Sequence, residues 1–250
     1  MMFLFLLTFK PEGLTLSEDG SIYFTDMGEI NIYDGGIYKM SPRSGRYERL
    51  KLTGFIKDPK GIVYNRGYLF VVDENAVWKV KNMSLSKHIH TKEFPGRVEF
   101  LRDIAAFGNR MYVSDIYGNT VYKFNFSGNV KVAFHLKRPN GLAVDSTGNV
   151  YVITFTSPAH IYKFDGRDTT LLLTSNLLRG GYDLEITPDG KTLYATGYFS
   201  NNIVEINLET LDEREIHRTK EHPAELLLYG RRLYYTMPDA GEIKYIKVGR

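Results

Sequence analysis

The chain states one pattern six times, and that repetition leaves few folds open. In each copy a turn leads into a short apolar strand, and a second turn leads into a tyrosine-rich strand. A polar loop and a third strand follow. The copies open at Pro11-Glu-Gly-Leu, Pro59-Lys-Gly-Ile, Leu101-Arg-Asp-Ile, Pro139-Asn-Gly-Leu, Gly181-Tyr-Asp-Leu and Pro223-Ala-Glu-Leu. Their third residues (Gly13, Gly61, Asp103, Gly141, Asp183 and Glu225) are spaced by 48, 42, 38, 42 and 42 positions. A period near 40 made of strands alone is the signature of a β-propeller, in which each repeat is one blade. No helix-period segment competes, and Gly, Asn, Asp and Ser clusters separate the strands. The expected fold is all-β: six four-stranded antiparallel blades in one domain over 1–250, starting near 11, 59, 101, 139, 181 and 223.

Repeat four shows the blade in full. Gly141–Asp145 is its inner strand, 150–154 the second, 159–164 the third and 169–174 the fourth. The first five repeats carry such an outer strand, for example Tyr47–Leu52 and Val130–Leu136. The last stops after its third, near Glu242–Val248. The apolar run Met2–Phe9 has no basic flank and no small-residue cleavage site, and it is too short to span a bilayer. It is expected instead to be the closing strand of blade six, pairing two sheet edges that would otherwise lie open. With no membrane-length apolar stretch, the expectation is a soluble, cytoplasmic protein with no membrane partner.

Composition removes several chemistries. The chain has no Cys, so disulfides, thiolate metal sites and cysteine nucleophiles are excluded. No His accompanies a serine elbow, and no phosphate-binding glycine loop is present. A net charge of +3 does not by itself point to nucleic acid. The absence of Gln fits a thermophilic source.

A propeller brings equivalent residues around one axis, so function is sought where the copies differ. The mouth of the channel is expected to be ringed by Glu12, Lys60, Arg102, Asp103, Asn140, Tyr182, Asp183 and Glu225. The outer wall would carry Met27–Tyr33, Glu74, Tyr117, Phe155, Tyr198, Phe199 and Met237. Such concave convergence points favour ligands. Glu12, Asp103, Asn140 and Asp183 are oxygen donors, which suit Ca²⁺, Mg²⁺ or Mn²⁺ better than Zn²⁺. The competing reading is that these side chains cap loops or pair with Lys60 and Arg102. Asp26, Asp73 and Asp115 occupy one position in three repeats, which argues for a repeated loop-capping bond rather than catalysis. His88, His90, His217 and His222 are expected at the surface.

The phrases Pro139-Asn-Gly-Leu-Ala-Val-Asp-Ser-Thr-Gly-Asn-Val-Tyr-Val and Thr187-Pro-Asp-Gly-Lys-Thr-Leu-Tyr-Ala-Thr resemble the senescence marker protein/gluconolactonase family of six-bladed propellers. Much of the likeness is a blade signature shared with NHL-type propellers. The resemblance implies a divalent cation held by Glu12, Asn140 and Asp183, with metal-assisted lactone or ester hydrolysis. Asp183 or Asp103 would serve as general base. Lys60, Arg102, Tyr182, Glu225, Tyr117 and Phe155 would contact a small, anionic substrate. Two openings depart from the family pattern: Tyr182-Asp183 is displaced by one residue, and blade three reads Phe-Leu-Arg102-Asp103. The NHL likeness implies instead a non-catalytic face, basic and aromatic, that binds an anionic ligand, a protein or RNA.

Overall fold

The second strand of every repeat is apolar on both faces, and that dictates how the blades stack. Val150–Thr154 is buried throughout, and Tyr68–Asp73 is buried from its second residue on. A strand covered on both faces must lie inside a sheet that has another sheet on each side. Outer strands such as Thr169–Thr174 alternate far less and are largely exposed, as expected at the rim of a disc.

A computed structural model describes residues 9–29, 34–73 and 76–249. Six antiparallel sheets are arranged in a ring. Their inner strands are Pro11–Leu16, Ile62–Asn65, Leu101–Phe107, Pro139–Val144, Gly181–Ile186 and Leu226–Tyr229. Each inner strand touches the next, and the last touches the first. Among the described residues the first five sheets have four strands and the sixth has three, ending with Glu242–Lys247. The outer strands are shorter than expected, Tyr47–Arg49 and Lys131–His135. The only helical turns described are two short 3-10 turns, Thr91–Glu93 and Pro238–Ala240. None is long and apolar enough to cross a membrane.

The expected closing strand falls on residues 2–9, of which 2–8 lie outside the described residues; so does Glu74, and so do 30–33 of the expected wall. Phe9 is described. Its ring packs on Phe24, Tyr38 and Tyr47 of blade one. Its carbonyl oxygen sits where a Cβ on Gly241 of blade six would come within 2.9 Å.

The core is divided among the blade interfaces. Phe70, Val72 and Val77 meet Met111, Val113 and Phe124 between blades two and three. Tyr112 and Phe134 meet Val150 and Val152 between three and four. The four–five, five–six and one–two interfaces have their own clusters. Leu14, Ile22 and Phe24 of blade one pack on Leu227 and Tyr234 of blade six. Six apolar clusters therefore close one ring.

The three scaffold aspartates behave as their repetition suggests. Asp26 accepts from the backbone N–H of Lys10 and of Gly28, at 2.8 and 3.0 Å. Asp73 accepts from Lys57, Asp58 and the Trp78 indole. Asp115 accepts from Glu99, Phe100 and Gly118, all at 3.0 Å or less. Each carboxylate ties its own loop to the segment that enters the inner strand, which aims that segment at the axis.

Candidate functional site in the central channel

Consecutive residues of a regular strand point to opposite faces. In blades one, three, four and five the pairing of inner and second strands slips at the opening, for example between Pro11 and Leu14 and between Gly181 and Leu184. A bulge of this kind re-aims side chains. It lets the second and third residues of one opening both contribute to the channel, as Arg102 and Asp103 do.

The third residues divide into two kinds. A Cβ on Gly13 would lie 2.4 Å from the Lys60 carbonyl oxygen. One on Gly61 would lie 2.7 Å from the Cα of Asp103, and one on Gly141 would lie 2.4 Å from the Cα of Asp183. These three glycines admit the backbone of the next blade. The other three positions carry acids, and two of them reach across instead. Asp103 accepts from Leu142 N–H of blade four at 2.7 Å, and Asp183 from Leu226 N–H of blade six at 2.7 Å. Two residues further along, Glu185 accepts from Leu228 N–H at 2.9 Å.

Asp103, Asp183 and Glu225 are all buried, and each offers a carboxylate oxygen within 4.8 Å of the others. Burial pushes the Asp103 carboxyl up to about 6, although two backbone N–H bonds oppose it. Burial and then the charge of Asp103 push Asp183 well above the usual carboxylate range. Glu225 is raised by burial and by both aspartates. Half-buried Glu185 is pushed to about 7, chiefly by desolvation.

One cation answers this crowd. Arg102, 5% exposed, donates from Nη2 to Glu12 Oε1 and has Glu225 Oε1 at 3.6 Å. Its guanidinium lies 4.4 Å from the centroid of the Tyr182 ring. Tyr182 in turn donates its hydroxyl to Glu12 Oε1 at 2.5 Å. Burial works against the charge on Arg102, but Glu12, Tyr182 and Glu225 outweigh it and hold the guanidinium firmly protonated. The expected pairing of Arg102 with the acid ring is thus present.

Lys60 does something different. It is buried, but it pairs with Asp58 at 2.5 Å and lies 4.8 Å over the Phe100 ring. The structure does not bring its ammonium to the acids.

Several polar atoms of the ring have no hydrogen-bond partner. They are Glu12 Oε2, Arg102 Nη1, Asn140 Oδ1 and Glu225 Oε1, all on residues at most 5% exposed. Asn140 spends its amide N–H on the Gly181 carbonyl at 3.2 Å, which leaves the oxygen over. Three acceptors and one donor without a hydrogen bond are concentrated at one place in the fold. A buried polar atom is normally satisfied by protein or by ordered water, so these atoms offer positions for a water, a ligand or an ion. The donor set is all oxygen and rich in carboxylate, which fits a hard divalent cation.

A hydroxyl system supports the ring and escaped the sequence reading. Gly13 N–H donates to Thr25 Oγ1, which donates to the Lys60 carbonyl of the next blade. Ser114 links Asp103 N–H to the Asn140 carbonyl, and Thr196 links Asp183 N–H to the Ala224 carbonyl. Thr236 accepts from Glu225 N–H. The signal was a Ser or Thr ending these second strands where blades two and four carry Val72 and Ile153.

Outside the ring, Tyr117 is 57% exposed, and Phe155 packs on Tyr182, Tyr198 and Phe199. Tyr182 and Tyr198 stack at 5.2 Å, and His222 stacks on Tyr198 at 4.1 Å while bonding Asp239. His217 bonds the Tyr235 hydroxyl, and half-buried His88 packs on Phe70 and bonds the Asn125 carbonyl. His88 and His217 are therefore partly packed, while His222, its side chain 37% exposed, and His90 lie at the surface as expected.

By sequence, no protein-family description and no curated protein matches this chain. By structure, it is similar to a gluconolactonase from Xanthomonas campestris, with a TM-score of 0.75 and 14% identity over 93% of this chain and 84% of that one. It is also similar to virginiamycin B lyase from Staphylococcus aureus, at a TM-score of 0.70 and 15% identity over 99% and 98%. A chain of a nidogen/laminin complex matches at 0.74 and 15% identity over 85% and 86%. At such identities the likeness shows the propeller fold alone, shared by a gluconolactonase, a lyase and a chain of a nidogen/laminin complex. Function must be argued from the site.

Proposed function

We propose that the protein is a small-molecule hydrolase or lyase whose channel holds a divalent cation and whose mouth acts on a lactone or ester. The observation that carries this reading is the group of oxygens on Glu12, Asn140 and Glu225 that accept no hydrogen bond, beside the Asp103–Asp183–Glu225 cluster. One guanidinium cannot balance that many buried carboxyls, so the site favours either protons or a divalent ion. Asp183 and Glu225 would hold the cation together with Glu12 Oε2 and Asn140 Oδ1. A bound cation of this kind supplies polarisation of a carbonyl oxygen.

The chain's own groups supply the rest. Arg102 Nη1, buried and without an acceptor, would orient an oxygen of the substrate. Asp103, whose carboxyl burial raises toward neutrality, would take a proton from water. Tyr182 keeps its phenol proton on Glu12 and fixes that side chain.

The test is calorimetric titration of the protein with Ca²⁺, Mg²⁺ and Mn²⁺, paired with a panel of lactones and esters. Binding of at least one ion, lost in Asp183→Asn, and turnover that depends on it are expected. Protein that binds none of the three ions and opens no member of the panel would refute the proposal.

A further inference from the structure

Across the channel from the blade-one side, on the same face, Arg138 stands without a counter-ion. Its guanidinium lies 5.0 Å from the Phe155 ring centroid and 5.7 Å from that of Tyr117. Among the described residues it makes no ion pair and no side-chain hydrogen bond, and its Nε is buried without a partner. Its backbone is in the left-handed region at φ 49°, a conformation side-chain-bearing residues rarely adopt. The segment is pinned there: Arg138 N–H donates to Asn119 Oδ1 at 2.8 Å, and the Arg138 carbonyl accepts from Phe155 N–H at 2.9 Å.

Tyr117, Asn119, His135, Leu136, Lys137 and Arg138 line a groove of about 760 Å³ at the boundary of blades three and four. Lys137 is exposed and enters no ion pair described. The groove therefore offers a planar guanidinium with spare donors, a second cation, and an exposed aromatic face.

We infer that this groove is a binding site for a small planar carboxylate, an aromatic acid whose carboxylate meets Arg138 and whose ring lies against Tyr117. Arginine presents its donors in a flat fork that matches a carboxylate, and a ring of the ligand gains from the tyrosine face. A polyanion fits less well. Single-stranded RNA needs a track of cations along its phosphates, whereas here two cations stand beside a channel rich in carboxyls. The site is independent of the channel cation.

The test uses the full chain in EDTA, so that failure of the channel proposal leaves it untouched. Benzoate and cyclohexanecarboxylate, equal in charge and near in size, are compared by saturation-transfer NMR and titration. Benzoate is expected to bind roughly 3–10-fold more tightly. Arg138→Gln should weaken benzoate roughly tenfold or more. Tyr117→Ala, at an exposed ring that the fold does not need, should weaken it roughly 3–10-fold. Tyr47→Ala, at a distant exposed ring, should change nothing. Equal binding of the two acids overturns the inference, as does no binding by about 10 mM or binding indifferent to both groove substitutions. Single-stranded RNA that binds with a steep salt dependence, lost in Arg138→Gln, overturns it in favour of a polyanion.

Discussion

Two sets of buried carboxylates divide the labour in this propeller. Asp26, Asp73 and Asp115 lie at the loops, and each accepts two or three hydrogen bonds from its own blade. Asp103, Asp183 and Glu225 lie at the axis within reach of one another, and oxygens around them go unpaired. Both sets are buried carboxylates. Backbone N–H groups donate to members of both sets, two of them to Asp103; the difference is that at the axis neighbouring acids compound the charge. A carboxylate used by N–H groups alone builds the scaffold; one crowded by its own kind is pushed toward its protonated form.

The comparison breaks most visibly at Asp115. Asp115→Ala removes the acceptor for three backbone N–H groups and is expected to cost roughly 3–5 kcal/mol in chemical denaturation. Asp183→Asn keeps an acceptor for Leu226 N–H and relieves like-charge crowding, so without metal it should lie within about 1 kcal/mol of the native protein. Equal losses in the two variants would erase the distinction.

The pH dependence sharpens it next. The channel acids have folded-state values raised above those of the unfolded chain, with Asp103 at about 6 and Glu185 at about 7. The folded state therefore binds more protons than the unfolded state between about pH 4 and pH 7, and stability falls as pH rises through that window. Metal-free protein should melt roughly 5–10 °C lower at pH 8 than at pH 5. A saturating divalent ion should flatten the curve. A melting temperature that rises over this range would show that the axis is not an acid store.

The smallest effect belongs to the hydroxyl links. Thr25→Val keeps shape but removes the bridge between Gly13 N–H and the Lys60 carbonyl, and should cost about 1–2 kcal/mol by thermal unfolding. Val72→Thr, at the position where blade two lacks the hydroxyl, should gain nothing comparable.

The repeat carried the architecture because blades obey local rules: strand period, turn residues and one opening per copy. The scaffold role of Asp26, Asp73 and Asp115 was legible for the same reason, since an equivalent residue in three copies meets an equivalent environment. The site was legible only as a set of positions. That Arg102 reaches Glu12, 90 residues away, and that Tyr182 reaches it from 170 away, follows from side-chain length and the bulged openings, which no motif records. Lys60 illustrates the converse. Its place in the opening suggested the channel, yet Asp58, two residues before it, captured its charge. Arg138 was one of many basic loop residues until its two flanking rings and missing counter-ion singled it out.

The six apolar interfaces form a closed cycle, with Leu14 and Phe24 meeting Leu227 and Tyr234 where first and last blades join. An open stack of repeats can fray from its terminal units, each of which leaves by surrendering one interface. Here every blade has two neighbours, so opening any one of them surrenders two. Unfolding is thereby made all-or-none around the circle, so a defect at one interface is felt by every blade.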